Sequence, residues 1–173
     1  MLNKARALDL VHKHLDDTPR AAHSRFVAYL MREFARVFDA NADIWEITGL
    51  CHDLDFFATS GDWTRHGLVT IRWLSGQLPD DALQAIAAHD HRTGIRSDTL
   101  IADMLNLADA LAVIDERFGR DLLKQAGSDD PYTALRRHLG DRAYLADILE
   151  RRATTHDLSF RCIVDIVSTG PPQ

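Results

Sequence analysis

The adjacent residues His52 and Asp53, in the segment GLCHDLDFF, carry side chains that bind divalent metal ions. Neutral imidazole nitrogen and carboxylate oxygen are both good ligands for such ions. The pair follows an apolar helical segment, where the burial of a charged group requires a compensating partner. A divalent ion would be such a partner, although ordinary polarity at a helix end also accounts for two such residues. The pair therefore predicts a metal site and leaves that alternative open.

Two further residues of ligand type lie far from this pair in the sequence. His23 is 29 residues before His52, on the apolar face of a predicted helix, where a histidine can also be an ordinary core residue. Asp109 is 56 residues after Asp53, inside the apolar segment LNLADALAVI. Helix interiors rarely bury a carboxylate without a partner, because its desolvation costs several kcal/mol. A buried salt bridge or a helix cap is the alternative for Asp109.

Helical periodicity runs along nearly the whole chain, and no strand-like alternation is convincing. Start signals are Pro19 after Thr18, Asn41, Asp62, and Pro131 after Asp130, while Ser97 or Asp98 is expected to cap the helix that contains Asp109. We expect helices near 3–16, 19–38, 42–54, 63–76, 79–89, 99–116, 120–126, 131–139, 141–154 and 157–168. Gly49 lies one turn before Asp53, and we expect it to leave open space beside the carboxylate.

The length and composition of the chain limit the classes of protein to which it can belong. The 173 residues suffice for one domain with a sizeable core, and we expect a single domain over 1–173. A net charge of −6 argues against an extended nucleic-acid-binding surface. Two cysteines are too few for a disulfide framework, and no segment approaches the ~18 apolar residues of a membrane helix. These features, with a charged N-terminus unlike a signal peptide, predict a cytoplasmic protein.

The order His23, His52-Asp53, Asp109 resembles the signature of the HD superfamily of metal-dependent phosphohydrolases. The resemblance is to the small stand-alone HD hydrolases of bacteria and archaea. It runs from about 20 to 115 and includes the phrases GLCHDLDFF, RHGL, AHDHRTG and LADAL. It implies an all-α, HD-domain-like helical bundle in which those four residues bind a metal ion. The C-terminal helices, 120–168, stay unassigned.

The segments RHGLVTIRWL and AIAAHDHRTG resemble the histidine-bearing segments of HD-superfamily members that hold two metal ions. By that resemblance Asp53 bridges the two ions, and His66 and His89 bind the second one. The alternatives are a solvent-facing His66 and a His89 that only caps a helix. His91 could be a ligand, a proton donor or an exposed residue. The ligand types accept Mn, Fe, Co, Ni, Zn or Mg, so the metal is not identified.

The function implied by the resemblance is metal-dependent hydrolysis of a small-molecule or nucleotide phosphate ester, with Asp53 as the catalytic residue. Two divalent ions beside two aspartates leave a net charge of about +2, which favours an anionic substrate. Arg65, Arg92 and Arg96 flank the site in sequence and could bind phosphate oxygens, or be solvated surface arginines. Asp55 could orient a ligand histidine or a water, or cap a loop.

The sequence departs from two branches of the superfamily and leaves two other functions open. A Gly-Tyr-Pro segment typical of cyclic-dinucleotide phosphodiesterases is absent after the histidines, and a Glu-Asp pair typical of alarmone hydrolases is absent after Asp53. A dinuclear iron oxygenase of the inositol-oxygenase type uses the same ligand set but is usually a larger chain. A non-catalytic signalling module typically loses the pair or the distal aspartate. Metal content separates the three functions.

Overall fold

The chain folds into α-helices joined by short turns and three 3₁₀ turns, in a computed structural model that describes residues 1–127 and 129–171. The 3₁₀ turns are Trp63–Arg65, His91–Thr93 and Gly140–Arg142. The helices are α1 Lys4–Leu15, α2 Pro19–Val37, α3 Ala42–Cys51, α4 Leu68–Trp73, α5 Asp80–Ala88, α6 Leu100–Phe118, α7 Asp121–Gln125, α8 Pro131–Leu139, α9 Tyr144–Thr155 and α10 Phe160–Thr169. No strand occurs among these described residues, so the all-α prediction is confirmed.

Several helices begin where their capping residues predict. The Asn41 side chain accepts hydrogen bonds from the first backbone N–H groups of α3, and Asp130 accepts one at the start of α8. Pro19 occupies the first turn of α2. The predicted cap of α6 was wrong by one or two positions, since Thr99, and not Ser97 or Asp98, accepts the N-terminal hydrogen bond.

The predicted continuous helix over 63–76 was wrong. A 3₁₀ turn ends at Arg65, His66 has an extended backbone (φ −63°, ψ 132°), and Gly67 has φ 79° before α4 begins. Gly67 is required there, because a Cβ atom on it would lie 2.5 Å from the carbonyl oxygen of Ile86 at that backbone conformation. The interruption turns the His66 side chain toward the interior of the bundle, where a straight helix would have pointed it elsewhere.

Helices α2 and α3 form the closest pair in the bundle, and Gly49 is the reason. A Cβ atom at this position would lie 2.7 Å from Cα of Ala28 on α2. Gly49 therefore faces the backbone of a neighbouring helix and is not the source of open space beside Asp53, contrary to the expectation from sequence. The close approach brings the helix that carries His23 against the helix that ends just before His52.

The remaining helices build around this pair. Helix α6 packs on α2 and α5, α9 packs on α6 and α8, and α10 lies against α2 and α7. One buried hydrophobic cluster contains residues from Leu2 to Val167, so the C-terminal helices share the core of the N-terminal ones. None of the helices in the described part of the chain is long and apolar enough to cross a membrane.

Candidate metal centre

Six side chains from five separate segments converge in the interior of the bundle. His23 comes from the second turn of α2, and His52 with Asp53 follows α3. The break before α4 contributes His66, the C-terminal end of α5 contributes His89, and the middle of α6 contributes Asp109. The four histidines and Asp53 are buried, and the Asp109 side chain is 28% exposed toward a cavity. Four of the six residues thus lie at helix ends or at a helix interruption, and His23 and Asp109 lie within continuous helices.

One oxygen of the Asp53 carboxylate faces the first group of ligand-type residues. Asp53 Oδ2 lies 3.4 Å from His52 Nε2 and 3.9 Å from His23 Nε2. Asp109 Oδ1 closes this group, 3.0 Å from His23 Nε2 and 4.0 Å from His52 Nε2. The ligand atoms of His23, His52 and Asp109 all lie within 4.8 Å of one another. That spacing suits the coordination sphere of a single divalent ion.

The other oxygen of the same carboxylate faces a second pair of histidines. Asp53 Oδ1 lies 2.9 Å from His66 Nε2 and 3.5 Å from His89 Nε2. These two ring nitrogens are 3.2 Å apart. Asp53 therefore lies between the two histidine pairs, in the position that a carboxylate bridging two ions would occupy.

In three of the histidine rings, the Nδ1 nitrogen lies next to a hydrogen-bond acceptor. His52 Nδ1 donates to the Gly49 carbonyl at 2.8 Å, and His89 Nδ1 donates to the Ile86 carbonyl at 2.6 Å. His66 Nδ1 lies 2.8 Å from Asp55 Oδ1. An acceptor at Nδ1 leaves Nε2 free to bind a metal, which is the usual arrangement of metal-bound histidine.

The surroundings of the His52 ring indicate whether these residues fit a metal ion. Its Nε2 atom is buried, and among the described residues it has no hydrogen-bond partner. Buried polar atoms rarely stay without a partner. Burial also lowers the pKa of His52 to about 4, so the ring is neutral near pH 7, as metal binding requires. A cation at this point would satisfy the atom, and the residues therefore fit a metal ion.

Electrostatics around the two aspartates favour their ionised forms. Burial opposes ionisation of Asp53, but its histidine neighbours outweigh burial and hold its pKa well below the usual range. Burial likewise opposes ionisation of Asp109, and the hydrogen bond from His23 lowers its pKa to about 2. Burial also works against the charged form of His66, yet its two carboxylate partners raise its pKa to about 9. The two carboxylates thus favour positive charge beside them, which a divalent cation would also supply.

Asp55 holds a histidine, which was one of the alternatives that the sequence left open, and it caps a helix instead of a loop. One of its oxygens accepts from the His66 ring and from the backbone N–H of Gly67, at 2.8 and 3.0 Å. The other accepts from the backbone N–H groups of Val69 and Thr70, at 3.1 and 2.9 Å. Asp55 therefore orients His66 and caps the N-terminus of α4 with the same carboxylate.

The three arginines predicted to bind substrate have different positions. Arg92 lines a cavity of about 340 Å³ that opens onto the cluster. Its guanidinium pairs with Asp90 and lies 4.6 Å from the centre of the Trp63 ring. Arg65 and Arg96 are exposed and do not line this cavity. His91 borders the cavity, but its side chain is 93% exposed.

Sequence reasoning missed Arg20. Its Nη1 atom donates to Asp53 Oδ2 at 3.0 Å, and its guanidinium lies 4.2 Å from the centre of the Phe56 ring. The side chain lines the same cavity as Arg92. A signal was present, because Arg20 precedes His23 by three residues on α2 and residues at that spacing share a helix face.

Comparison with known proteins identifies the family. Residues 20–114 match the HD domain, which is more than half of the chain, so the chain belongs to the HD domain family. A similar solved structure is a predicted HD superfamily hydrolase involved in NAD metabolism from Clostridium acetobutylicum, with a TM-score of 0.56, 19% identity and 98% coverage of both chains. At that identity the likeness concerns the fold. No curated protein matches the chain. Family and cluster together support a metal-dependent hydrolase as the general class.

Proposed function

We propose that this protein hydrolyses the phosphate ester of a small molecule, with two divalent metal ions bound per chain. The observation that carries the proposal is the position of Asp53, whose two oxygens face different histidine pairs. His23, His52, Asp53 and Asp109 would hold one ion, and Asp53, His66 and His89 the other. Bound divalent ions supply Lewis-acid activation of a phosphoryl group and of water.

The charges around the cavity favour a phosphate group. Arg20 and Arg92 both line it, one on each side of the aromatic pair Phe56 and Trp63. Hydrogen bonds to Asp90 raise the pKa of Arg92, and the negative charges of Asp53 and Asp109 add to this effect. Guanidinium groups held in this way can bind the oxygens of a phosphate with directed hydrogen bonds. Arg20 and Arg92, not Arg65 and Arg96, are therefore the proposed phosphate-binding arginines.

The size of the cavity favours a small substrate. A volume of about 340 Å³ lies at the lower end of the range for small-molecule sites. The catalytic role proposed for Asp53 depends on its charge, which would help to hold the divalent ions. Asp55 contributes indirectly, because it holds the His66 ring through Nδ1.

Replacement of Asp53 by Asn tests the proposal most directly, because the shape is kept and only the charge is removed. We expect phosphatase activity of the metal-loaded protein to fall by more than the ~10–100-fold typical of a residue that only supports a ligand. Activity of the parent should disappear with a chelator and return with a divalent transition metal. The exposed Asp98→Asn is the matched control and should retain parental activity.

Three outcomes would contradict the proposal. If Asp53→Asn hydrolyses phosphate esters as fast as the parent at saturating metal, Asp53 is not the bridging catalytic residue. If the iron-loaded protein consumes dioxygen and releases no phosphate, the protein is an oxygenase. A protein that binds no metal would instead be a non-catalytic module.

A further inference from the structure

The cavity beside the metal cluster has a second wall that is entirely different from the charged one. Ala110 and Val113 of α6 line it, together with Leu145 and Ile148 of α9 and the ring of Tyr144 at the start of α9. Of the charged residues that line the cavity, Asp109 precedes this wall on α6, and the others come from other segments of the chain. The wall begins at Ala110, immediately after Asp109, so it adjoins the cluster directly.

This wall leaves apolar surface in contact with water. Val113 and Ile148 are only partly buried, and Tyr144 is 50% exposed. Each Å² of apolar surface left in water forgoes about 25 cal/mol of stabilisation. A hydroxyl-rich group placed against such a wall would lose hydrogen bonds to water without replacing them. An apolar group would lose none and would cover the exposed surface.

Two aromatic rings line the cavity. The Tyr144 ring belongs to the apolar wall, and the Phe56 ring lies beneath the Arg20 guanidinium. Flat rings pack well against aromatic and aliphatic side chains. With about 340 Å³ to hold both a phosphate and its organic group, the space suits one compact ring system.

We propose that the organic group of the substrate carries a flat aromatic ring, which packs against the wall formed by Ala110, Val113, Tyr144, Leu145 and Ile148. This inference rests on the proposed phosphohydrolase function, and it names the class of ester. Helix α9, outside the region matched by the HD domain, thereby becomes the element that selects the substrate.

The experiment compares two esters of similar charge, 1-naphthyl phosphate and glycerol 2-phosphate, on the metal-loaded full-length protein. We expect kcat/KM to be higher for the naphthyl ester. Tyr144→Ala and Ile148→Asn should each reduce that value about tenfold, mainly through KM, because each removes apolar contact in the site. The value for glycerol 2-phosphate should change less than twofold. Thr154→Asn, at an exposed position of α9, is the control and should change neither.

Tyr144 is half exposed, so Tyr144→Ala keeps the test valid if Ile148→Asn fails to fold. A purine nucleoside monophosphate as a third ester distinguishes a nucleobase from a simple aryl ring. Calorimetric binding of the same esters gives a second measurement that does not need turnover. If the protein hydrolyses none of these esters, the proposed function is wrong. If the two esters have equal kcat/KM and equal Kd, or if the variants affect both esters alike, the proposed aromatic selectivity is wrong. The proposed hydrolase function is not affected by that result.

Discussion

At the scale of single residues, the site depends on the separate surroundings of the two Asp53 oxygens. Oδ2 faces the pair that the superfamily signature contains, and Oδ1 faces His66 and His89. His66 and His89 both direct Nε2 at the same Asp53 oxygen, and these two nitrogens are only 3.2 Å apart. Two divalent ions, held as proposed, would give each of these nitrogens a partner.

The two groups of residues around Asp53 predict the number of metal ions that the protein binds. We expect elemental analysis of the metal-replete parent to approach two ions per chain, and the double variant His66→Ala, His89→Ala to approach one. The remaining ion should stay, because its proposed ligands His23, His52 and Asp109 are unchanged. His91→Ala is the control, since this neighbouring side chain is 93% exposed. A parent that holds a single ion, unaffected by the double change, would restrict the site to one metal.

At the scale of secondary-structure elements, helix ends and one interruption carry four of the six proposed ligands. The contact between α2 and α3 brings His23 close to His52. Gly49 permits that contact, because the backbone of Ala28 lies where a side chain would be. His23 is five residues before Ala28 and His52 three residues after Gly49. A change in the distance between the two helices would therefore separate two proposed ligands of one ion.

Gly49→Ala should reveal this coupling. Overpacking costs about 1–3 kcal/mol, and the better helix propensity of alanine returns at most about 1 kcal/mol. We expect a lower midpoint of thermal unfolding together with weaker metal binding in a competitive chelator titration. Gln84→Ala, at an exposed position of α5, should change neither quantity. Parental stability and affinity in Gly49→Ala would show that the helix contact does not control the site.

At the scale of the whole molecule, the C-terminal helices are tied to the site by buried polar contacts as well as by the core. The Asp103 carboxylate on α6 pairs with Arg152 Nη1 at 2.5 Å and with His156 Nε2 at 2.8 Å. Arg152 also donates to Asn106, whose side-chain amide donates to the His89 carbonyl at 3.4 Å. The helices after 120 thus contact the segment that carries a proposed ligand.

Asp103→Ala should therefore destabilise the whole protein in one transition. We expect a loss of about 1–3 kcal/mol in the free energy of unfolding, because Arg152 and His156 lose their shared acceptor. The loss is moderated because the Arg152 side chain is 25% exposed and water can reach it. Chemical denaturation followed by circular dichroism and by tryptophan fluorescence would measure it. Asp98→Ala is the control, and two separate transitions in Asp103→Ala would contradict a cooperative link.

The sequence by itself determined the helical class and the residues of ligand type. His52, Asp53 and Asp109 were recognisable because carboxylates and imidazoles on apolar helical segments are costly unless something compensates them. Helix starts at Asn41 and Asp130 were equally accessible, because a capping side chain bonds to a backbone group only a few residues away. The prediction of a single domain over 1–173 stays a prediction, although one hydrophobic cluster extends from Leu2 to Val167.

The tertiary structure alone decided which groups surround the ligands. It placed Arg20 on Asp53, 33 positions away, whereas Arg65, which is next to His66 in the sequence, and Arg96 do not line the cavity. The helix expected over 63–76 is interrupted, because tertiary contacts favour a later start of α4. Asp55 caps that start, and Gly67 fits against Ile86. Local propensity describes bonds between near neighbours in the chain. A cavity wall such as Val113 with Ile148 exists only once distant helices pack, so no local pattern could specify it.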